Sequence, residues 1–171
     1  WPWEHASEIR HEIEWMDGHQ QILTRWLGRI EGLLGQFWPE ASSILGISSA
    51  TLLNVLAYYG GPNHMAADPE ATKQLKKWGG SKLKQKTIQD LLDSAAKTVG
   101  VRPKAADIHQ VQRCAEEALR ARREVNQSKK RLKDLTKNNG TIQRMAEVVG
   151  LATAAVLWAH LGDPKKYHCA N

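Results

Sequence analysis

The chain has 171 residues, is 42% apolar, and carries 24 Lys+Arg against 18 Asp+Glu for a formal charge of +6. That is long enough for one domain or two small ones, apolar enough for a sizeable core, and basic enough to favour an acidic partner such as nucleic acid. No apolar run approaches the ~20 residues that span a bilayer, no signal peptide is visible, and two cysteines, Cys114 and Cys169, make no disulfide framework, so a cytoplasmic protein without a membrane partner is expected.

The chain opens on Trp1-Pro2-Trp3 without Met and stops at His168-Cys169-Ala170-Asn171, which reads as a segment of something longer. Residues 4–38 predict one long helix. Ile9, Ile13, Met16, Gln20, Leu23, Leu27, Ile30, Leu34 and Phe37 alternate spacings of four and three, a heptad stripe with one polar member. So narrow a stripe wants a partner helix. Gly18, Gly28, Gly32 and Gly35 each weaken an isolated helix by about 1 kcal/mol relative to Ala. Packing must therefore hold the helix, and these small residues are expected to let a neighbour come close. Pro39 should end it, because the residue before a proline is pushed out of the helical region.

Residues 41–100 read as several short helices punctuated by Gly46, Gly60-Gly61-Pro62, Gly79-Gly80 and Gly100. Asp68-Pro69-Glu70 has the form of a helix start, and Ser81 that of a cap for the helix after Gly80. Residues 104–137 predict a second long helix, with Val111, Ala118, Val125 and Leu132 recurring every seven residues. A companion row begins with Ile108 and Ala115 but continues with Arg122 and Lys129, so the seam is expected to weaken toward its C-terminal half. Asn138-Asn139-Gly140 is a stop signal. The natural partner of this helix is the first one, antiparallel within one chain, although the pattern fits a dimeric coil as well. Residues 141–164 read as two helices around a tight turn at Gly150, and no period-two alternation marks a strand. The expected fold is all-α: two long helices in a coiled coil (1–39 and 104–139), with helical hairpins in 40–103 and 140–171.

Two distant segments match at an offset of 102 residues: Thr51, Ala57, Gly60 and Pro62 coincide with Thr153, Ala159, Gly162 and Pro164. Each reads as helix, tight corner, helix, and the pattern resembles a helix-hairpin-helix. Glycine allows a tight turn and close approach of backbone amides to a phosphate, and the N-terminus of the second helix adds unpaired donors and a positive dipole end. The candidate phosphate-contacting residues are Gly46, Ile47, Ser48, Ser49 and Thr51 in the first corner, and Gly150, Leu151, Ala152 and Thr153 in the second. Each corner lacks one glycine of the Gly-apolar-Gly form, with Ser48 and Val148 in the vacant places. The plain alternative is a helical hairpin turn used only for packing.

Charge is localised. Residues 73–137 hold eighteen basic against seven acidic residues, a net +11, so the remainder is net −5. One cluster is Lys73, Lys76, Lys77, Lys82, Lys84 and Lys86, around Trp78-Gly79-Gly80. The other, on the second long helix, is Arg120, Arg122, Arg123, Lys129, Lys130, Arg131 and Lys133. A solvated helix face is the competing explanation, but few carboxylates sit where they could pair, Glu116 with Arg120 being one of the few. Such a footprint suits a polyanion backbone.

Catalytic patterns are weak. His11-Glu12 opens like a zinc-protease motif, but a second His is needed where Trp15 stands. His160, His168 and Cys169 lack the paired spacing of a closed metal site. His5, His11 and His19 read as surface or packing residues. Glu12, Glu14 and Asp17 are expected on an exposed helix face without a convergent acid/base pair. Cys114 is expected beside the apolar seam, buried and inert. No cofactor, metal or small-molecule substrate is expected.

The run Val149-Gly150-Leu151-Ala152-Thr153-Ala154-Ala155-Val156-Leu157-Trp158-Ala159-His160-Leu161-Gly162-Asp163-Pro164, then Lys165-Lys166-Tyr167, resembles the opening of the C-terminal domain of bridge-RNA-guided insertion-sequence transposases. Those proteins join an N-terminal RuvC-like four-acid domain to a C-terminal domain with a catalytic serine. The family pattern there is Gly-Val-Gly-Pro-x-Thr-Ala-Ala, a Leu-Gly-Asp-Pro ending, and an aromatic residue shortly after. Phe37-Trp38-Pro39-Glu40, the first hairpin, and Ala67-Asp68-Pro69-Glu70 followed by Trp78-Gly79 resemble the linker just upstream. Leu151 stands in place of the usual Pro and Val148 in place of a Gly. The resemblance implies a region that links two catalytic domains, helps oligomers form, and contacts DNA or guide RNA. It implies that the acids precede residue 1 and the serine follows residue 171, so this segment is not itself an enzyme. Two other readings fit the residues: a protein-interaction scaffold that self-associates through its long helices, and a stand-alone helix-hairpin-helix DNA-repair module.

Overall fold

A computed structural model of the chain describes residues 2–162. Asp163-Pro164, Lys165-Lys166-Tyr167, His168 and Cys169 lie outside the described residues. The described part is all-α, with nine α-helices and no strand: α1 (Pro2–Phe37), α2 (Pro39–Leu45), α3 (Ala50–Tyr59), α4 (Pro62–Ala67), α5 (Ala71–Gly79), α6 (Gln85–Lys97), α7 (Ala105–Thr136), α8 (Gly140–Val149) and α9 (Leu151–Leu161). The chain divides into two compact units, a central one of Ile22–Ala121 and a terminal one of Trp1–Gln21 with Arg122–Asn171. Each long helix therefore contributes one half to each unit.

The heptad stripe of α1 is the buried face: Ile9, Ile13, Met16, Leu23, Ile30, Leu34 and Phe37 are all buried, while the polar member Gln20 is exposed. On α7 Val111, Cys114, Ala118, Ala121, Val125, Ser128 and Leu132 are buried in alternating steps of three and four, and Ala115 and Thr136 are buried beside them. Of the expected companion row, Ala115 is buried, and Arg122 and Lys129 stay out of the core as read. A further buried row, Cys114, Ala121 and Ser128, lies beside it, so the seam does not weaken toward the C-terminus as expected.

In the central unit Trp38, Leu52, Leu53, Leu56, Met65, Leu75, Ile88 and Leu91 are fully buried and share one core with the second half of the α1 stripe. A buried indole needs an acceptor, and Trp38 Nε1 donates to Ser94 Oγ at 3.0 Å, which in turn donates to the Leu91 carbonyl at 2.8 Å. α1 ends at Phe37, one residue before the expected stop, and Pro39 opens α2 at a position where its missing N–H costs nothing. The segment after α6 covers the end of α1. Val101 N–H donates to the Gln36 carbonyl at 2.8 Å, and Gly100 lies so close that a Cβ there would stand 2.3 Å from the Phe37 oxygen. Glu40 ties the same segment down: its Oε1 accepts from Val99 N–H at 3.0 Å and its Oε2 from the Thr98 hydroxyl at 2.8 Å.

Two helix starts differ from expectation. Asp68 does not cap α5. Its Oδ1 accepts from Glu70 N–H at 2.8 Å in a short turn, and the helix begins only at Ala71. Ser81 lies within a 3-10 turn, Gly80–Lys82, and the next helix starts at Gln85. Gly79 permits that turn because Leu83 folds over it, at 2.5 Å from where a Cβ would be.

In the terminal unit Ile9 and Ile13 pack with Leu132, Ile142, Ala154, Ala155 and Ala159. Asn139, read as part of a stop signal, caps α8: its Oδ1 accepts from Thr141 and Ile142 amides at 3.1 Å each. Gln143 Nε2 donates to the Thr136 carbonyl at 3.0 Å, and Arg10 Nη2 donates to the Ala159 carbonyl at 2.9 Å.

Gly18, Gly28, Gly32 and Gly35 are exposed, and a Cβ on any of them would meet nothing within 4 Å. They do not admit a close neighbour, contrary to expectation. Replacing Gly28 or Gly32 by Ala should therefore stabilise the chain by about 0.5–1 kcal/mol each, read as a rise in urea midpoint at constant m-value. A fall in midpoint would show that α1 is not a regular helix there. Glu40 supplies a pH test. Burial raises its pKa, but the hydrogen bonds from Val99 and Thr98 outweigh this and leave it below the ordinary value. A carboxylate so lowered contributes stability above its unfolded pKa of ~4.3 and loses it as pH falls through the lower folded value. The stability gap between the wild type and Glu40→Gln should be largest near neutrality and shrink below about pH 4; a gap constant from pH 7 to pH 3 would contradict this.

Candidate nucleic-acid interface

The two glycine corners have nearly the same backbone. Gly46 has φ +74° and ψ 139°, and Gly150 has φ +82° and ψ 155°. Side-chain-bearing residues avoid this region, and no non-glycine residue among those described has positive φ. Each glycine closes the helix before it, Gly46 N–H bonding the Ser42 carbonyl at 2.9 Å and Gly150 N–H bonding that of Ala146 at 3.0 Å. Both are exposed. Only one position per corner takes the positive φ, so Ser48, at the second glycine place of its corner, and Val148, at the first of its own, stand there without strain.

The second helices correspond residue for residue. Thr51 and Thr153 stand in the first turns of α3 and α9, and Gly60 and Gly162 close them with φ +68° and +78° through the same bond to the residue four back, Leu56 and Trp158. The corners do not correspond. Ile47, Ser48 and Ser49 separate Gly46 from α3, whereas α9 begins directly after Gly150.

That difference changes what each corner offers an anion. Ser49 caps α3, its Oγ accepting from Leu52 N–H at 3.5 Å, its carbonyl from Leu53 N–H at 3.0 Å, and its own N–H donating to Gly46 at 3.0 Å. Among the described residues no acceptor reaches the Ala50 and Thr51 amides. At α9 no side chain caps the helix, and the Leu151, Ala152 and Thr153 amides have no acceptor among the described residues. Three such amides stand at the positive end of this eleven-residue helix, against two at α3.

Each unit also holds one cation cluster. In the central unit Lys73, Lys76, Lys77, Lys82, Lys84 and Lys86 are all exposed. Lys73 pairs with Glu70 at 3.1 Å; among the described residues no carboxylate pairs with the other five. In the terminal unit Arg123, Lys129 and Lys130 are exposed and Arg122 is half-buried. Arg120, at the edge of the central unit, pairs with Glu117 at 3.3 Å, not with the expected Glu116. Arg131 Nη1 lies 3.8 Å from Glu12 Oε1.

No family model matches the chain, and no curated protein or solved structure matches it either.

Glu12 is placed differently from expectation: its side chain is only 15% exposed, and it forms part of a groove of about 710 Å³ with Glu8, His11, Trp15, Arg131, Asp134 and Leu135. Glu14 and Asp17 are on the exposed face as read. His19 Nδ1 lies 2.9 Å from the Trp15 carbonyl, with its ring against the indole at 4.6 Å. Among the described residues no group of three His, Cys, Asp or Glu side chains could hold a metal, and no helix is long and apolar enough to cross a membrane. Cys114 is 3% exposed; burial raises its thiol pKa, against the opposing pull of Arg29 and Arg113.

A side chain at either corner glycine would meet nothing within 4 Å. Gly46→Ala and Gly150→Ala should therefore cost only backbone strain, roughly 1–3 kcal/mol each, read in chemical denaturation. No change in either variant would mean that the corner does not hold its positive φ.

Proposed function

We propose that this chain is a non-catalytic nucleic-acid-binding and assembly segment of an insertion-sequence transposase, taking DNA and guide RNA as its partners. The observation that carries the reading is the pairing, in each compact unit, of an exposed glycine corner with a set of exposed cations. In this reading both corners are helix-hairpin-helix turns. Their amides fix the register of a phosphate backbone, and the lysines and arginines neutralise its charge without reading bases. The second corner does this with main-chain donors alone. The first adds the Ser49 cap and the lysines of α5 and α6. The two long helices form the antiparallel coil that joins these surfaces, and the chemistry of strand transfer belongs to domains flanking the segment. The transposase assignment itself rests on the resemblance of residues 149–167 and 37–79.

The self-associating scaffold is the weaker reading because the stripe it would use is occupied. Ile13 and the positions around it are buried against residues of the same chain, so a partner helix would have to displace that core.

Titration of the chain with duplex DNA and with structured RNA, at 50 and 200 mM salt, tests the proposal. Micromolar or tighter binding at the lower salt, falling steeply at the higher, is expected. Lys76→Ala with Lys77→Ala should weaken binding uniformly across sequences and reduce the salt slope by about one for each lysine on a phosphate. Absence of binding to either polymer at low salt would sink the reading.

A further inference from the structure

The strongest feature outside the two corners is an aromatic cluster at the end of α3. Tyr58, Tyr59 and Trp78 pack edge to face, with ring centroids 4.8 Å apart for Tyr58–Tyr59, 5.5 Å for Tyr58–Trp78 and 6.2 Å for Tyr59–Trp78. Two of the three have structural work. Tyr59 is 4% exposed, with its hydroxyl on Asp68 Oδ2, and Trp78 packs partly buried against the central core. Tyr58 is the exception, with the residue 56% exposed. An aromatic side chain packed edge to face on two neighbours and more than half exposed offers a surface for stacking.

Its partner Trp78 sits in a lysine-rich segment. Lys76 and Lys77 occupy the last turn of α5, immediately before Trp78, and Lys82, Lys84 and Lys86 follow within eight residues of it. All five are exposed. The acidic residues of residues 58–86 are Asp68 and Glu70, and both are engaged. Asp68 accepts from the Tyr59 hydroxyl and the Glu70 amide, and Glu70 pairs with Lys73. Nearby His64 Nδ1 lies 3.0 Å from the Tyr59 carbonyl, and Gln112 Nε2 donates to the Tyr58 carbonyl at 3.2 Å, which fixes the backbone beneath the ring.

We infer that Tyr58, backed by Trp78 and flanked by the lysines of residues 76–86, is a stacking platform for an unpaired nucleobase, so that the central unit binds single-stranded nucleic acid there. This rests on the nucleic-acid reading above and narrows it. A duplex keeps its bases stacked inward and presents only backbone to such a surface. An unpaired strand offers a base face to the ring and phosphates to the lysines at once. Stacking is indifferent to sequence, because every base has a π face.

The test compares the full chain with Tyr58→Phe and Tyr58→Ala, by fluorescence anisotropy, on a labelled single strand and on a duplex of equal length. Tyr58→Phe should bind both like the wild type. Tyr58→Ala should lose roughly five- to one-hundred-fold on the single strand, keep its duplex affinity, and keep the wild-type salt slope, because no charge is removed. Its thermal melt, followed in parallel, should fall by only a few degrees from the lost edge-to-face contacts, leaving the chain folded at the temperature of the binding assay. Equal single-strand affinity in all three proteins overturns the inference while leaving the duplex reading standing. So does an equal loss on both polymers, or concentration-dependent self-association in sedimentation that Tyr58→Ala abolishes. If the wild type binds neither polymer at low salt, both readings fall together.

Discussion

The fold depends on burying the stripes of α1 and α7, because each of these helices is a wall of two cores. Four internal glycines make α1 a poor helix on its own account, and α7 carries many like charges along its exposed side. Neither would be stable alone in water, where helix propensity contributes little compared with packing. Stability must come from Ile9 and Ile13 in one unit and Leu23, Ile30, Leu34 and Phe37 in the other, set against the matching halves of the α7 seam. The cost of this arrangement falls at Ser128, whose buried hydroxyl has no hydrogen-bond partner. Ser fits the small-residue row sterically, and its oxygen is left unsatisfied, a penalty of about 1–3 kcal/mol.

The same division explains why the corners and cations stay exposed. At the two corners Ile47, Leu151 and Ala152 pack against the cores, while Gly46 and Gly150 themselves face solvent. Open space around both glycines means that their conformation is set by the chain itself and not by a neighbour. Gly100 is the contrasting case, where glycine is required because the end of α1 lies against it. Two glycines of one kind serve a surface, and one of the other kind serves a core.

Much of the architecture was legible in the sequence, and the failures have a common cause. The α1 stripe, the ends of both long helices and the turn at Gly150 followed from heptad spacing and from Gly and Pro punctuation, signals that act locally. The further buried row of α7 did not follow. Cys114 was read as buried beside the seam, but a search for large apolar residues passes over Ala121 and Ser128, which continue its row. The start of α5 was misplaced because Asp68 uses its carboxylate for the Glu70 amide and for Tyr59, a contact nine residues away in sequence. Glu12 was assigned to an exposed face because its partner, Arg131, lies more than a hundred residues further along the chain. In the candidate interface the charges and corners could be read directly. The exposure of Tyr58 could not, since its neighbour Tyr59 is buried and the two are alike in sequence.

The charge distribution carries the last step of the argument. Five lysines within residues 76–86 have no carboxylate partner among the described residues, and mutual repulsion among them opposes folding of the segment that holds them. A sequence under selection for stability alone would intersperse acids, as i to i+4 pairs stabilise helices by a few tenths of a kcal/mol each. Acids are instead withheld here and concentrated elsewhere in the chain. Of the two acids in this segment, Glu70 pairs with Lys73, while Asp68 is held by the Tyr59 hydroxyl and the Glu70 amide and neutralises none of these five lysines. The unmatched cations and the exposed Tyr58 ring are the features of this segment that core packing does not account for, and they are the features on which the proposed polyanion would act.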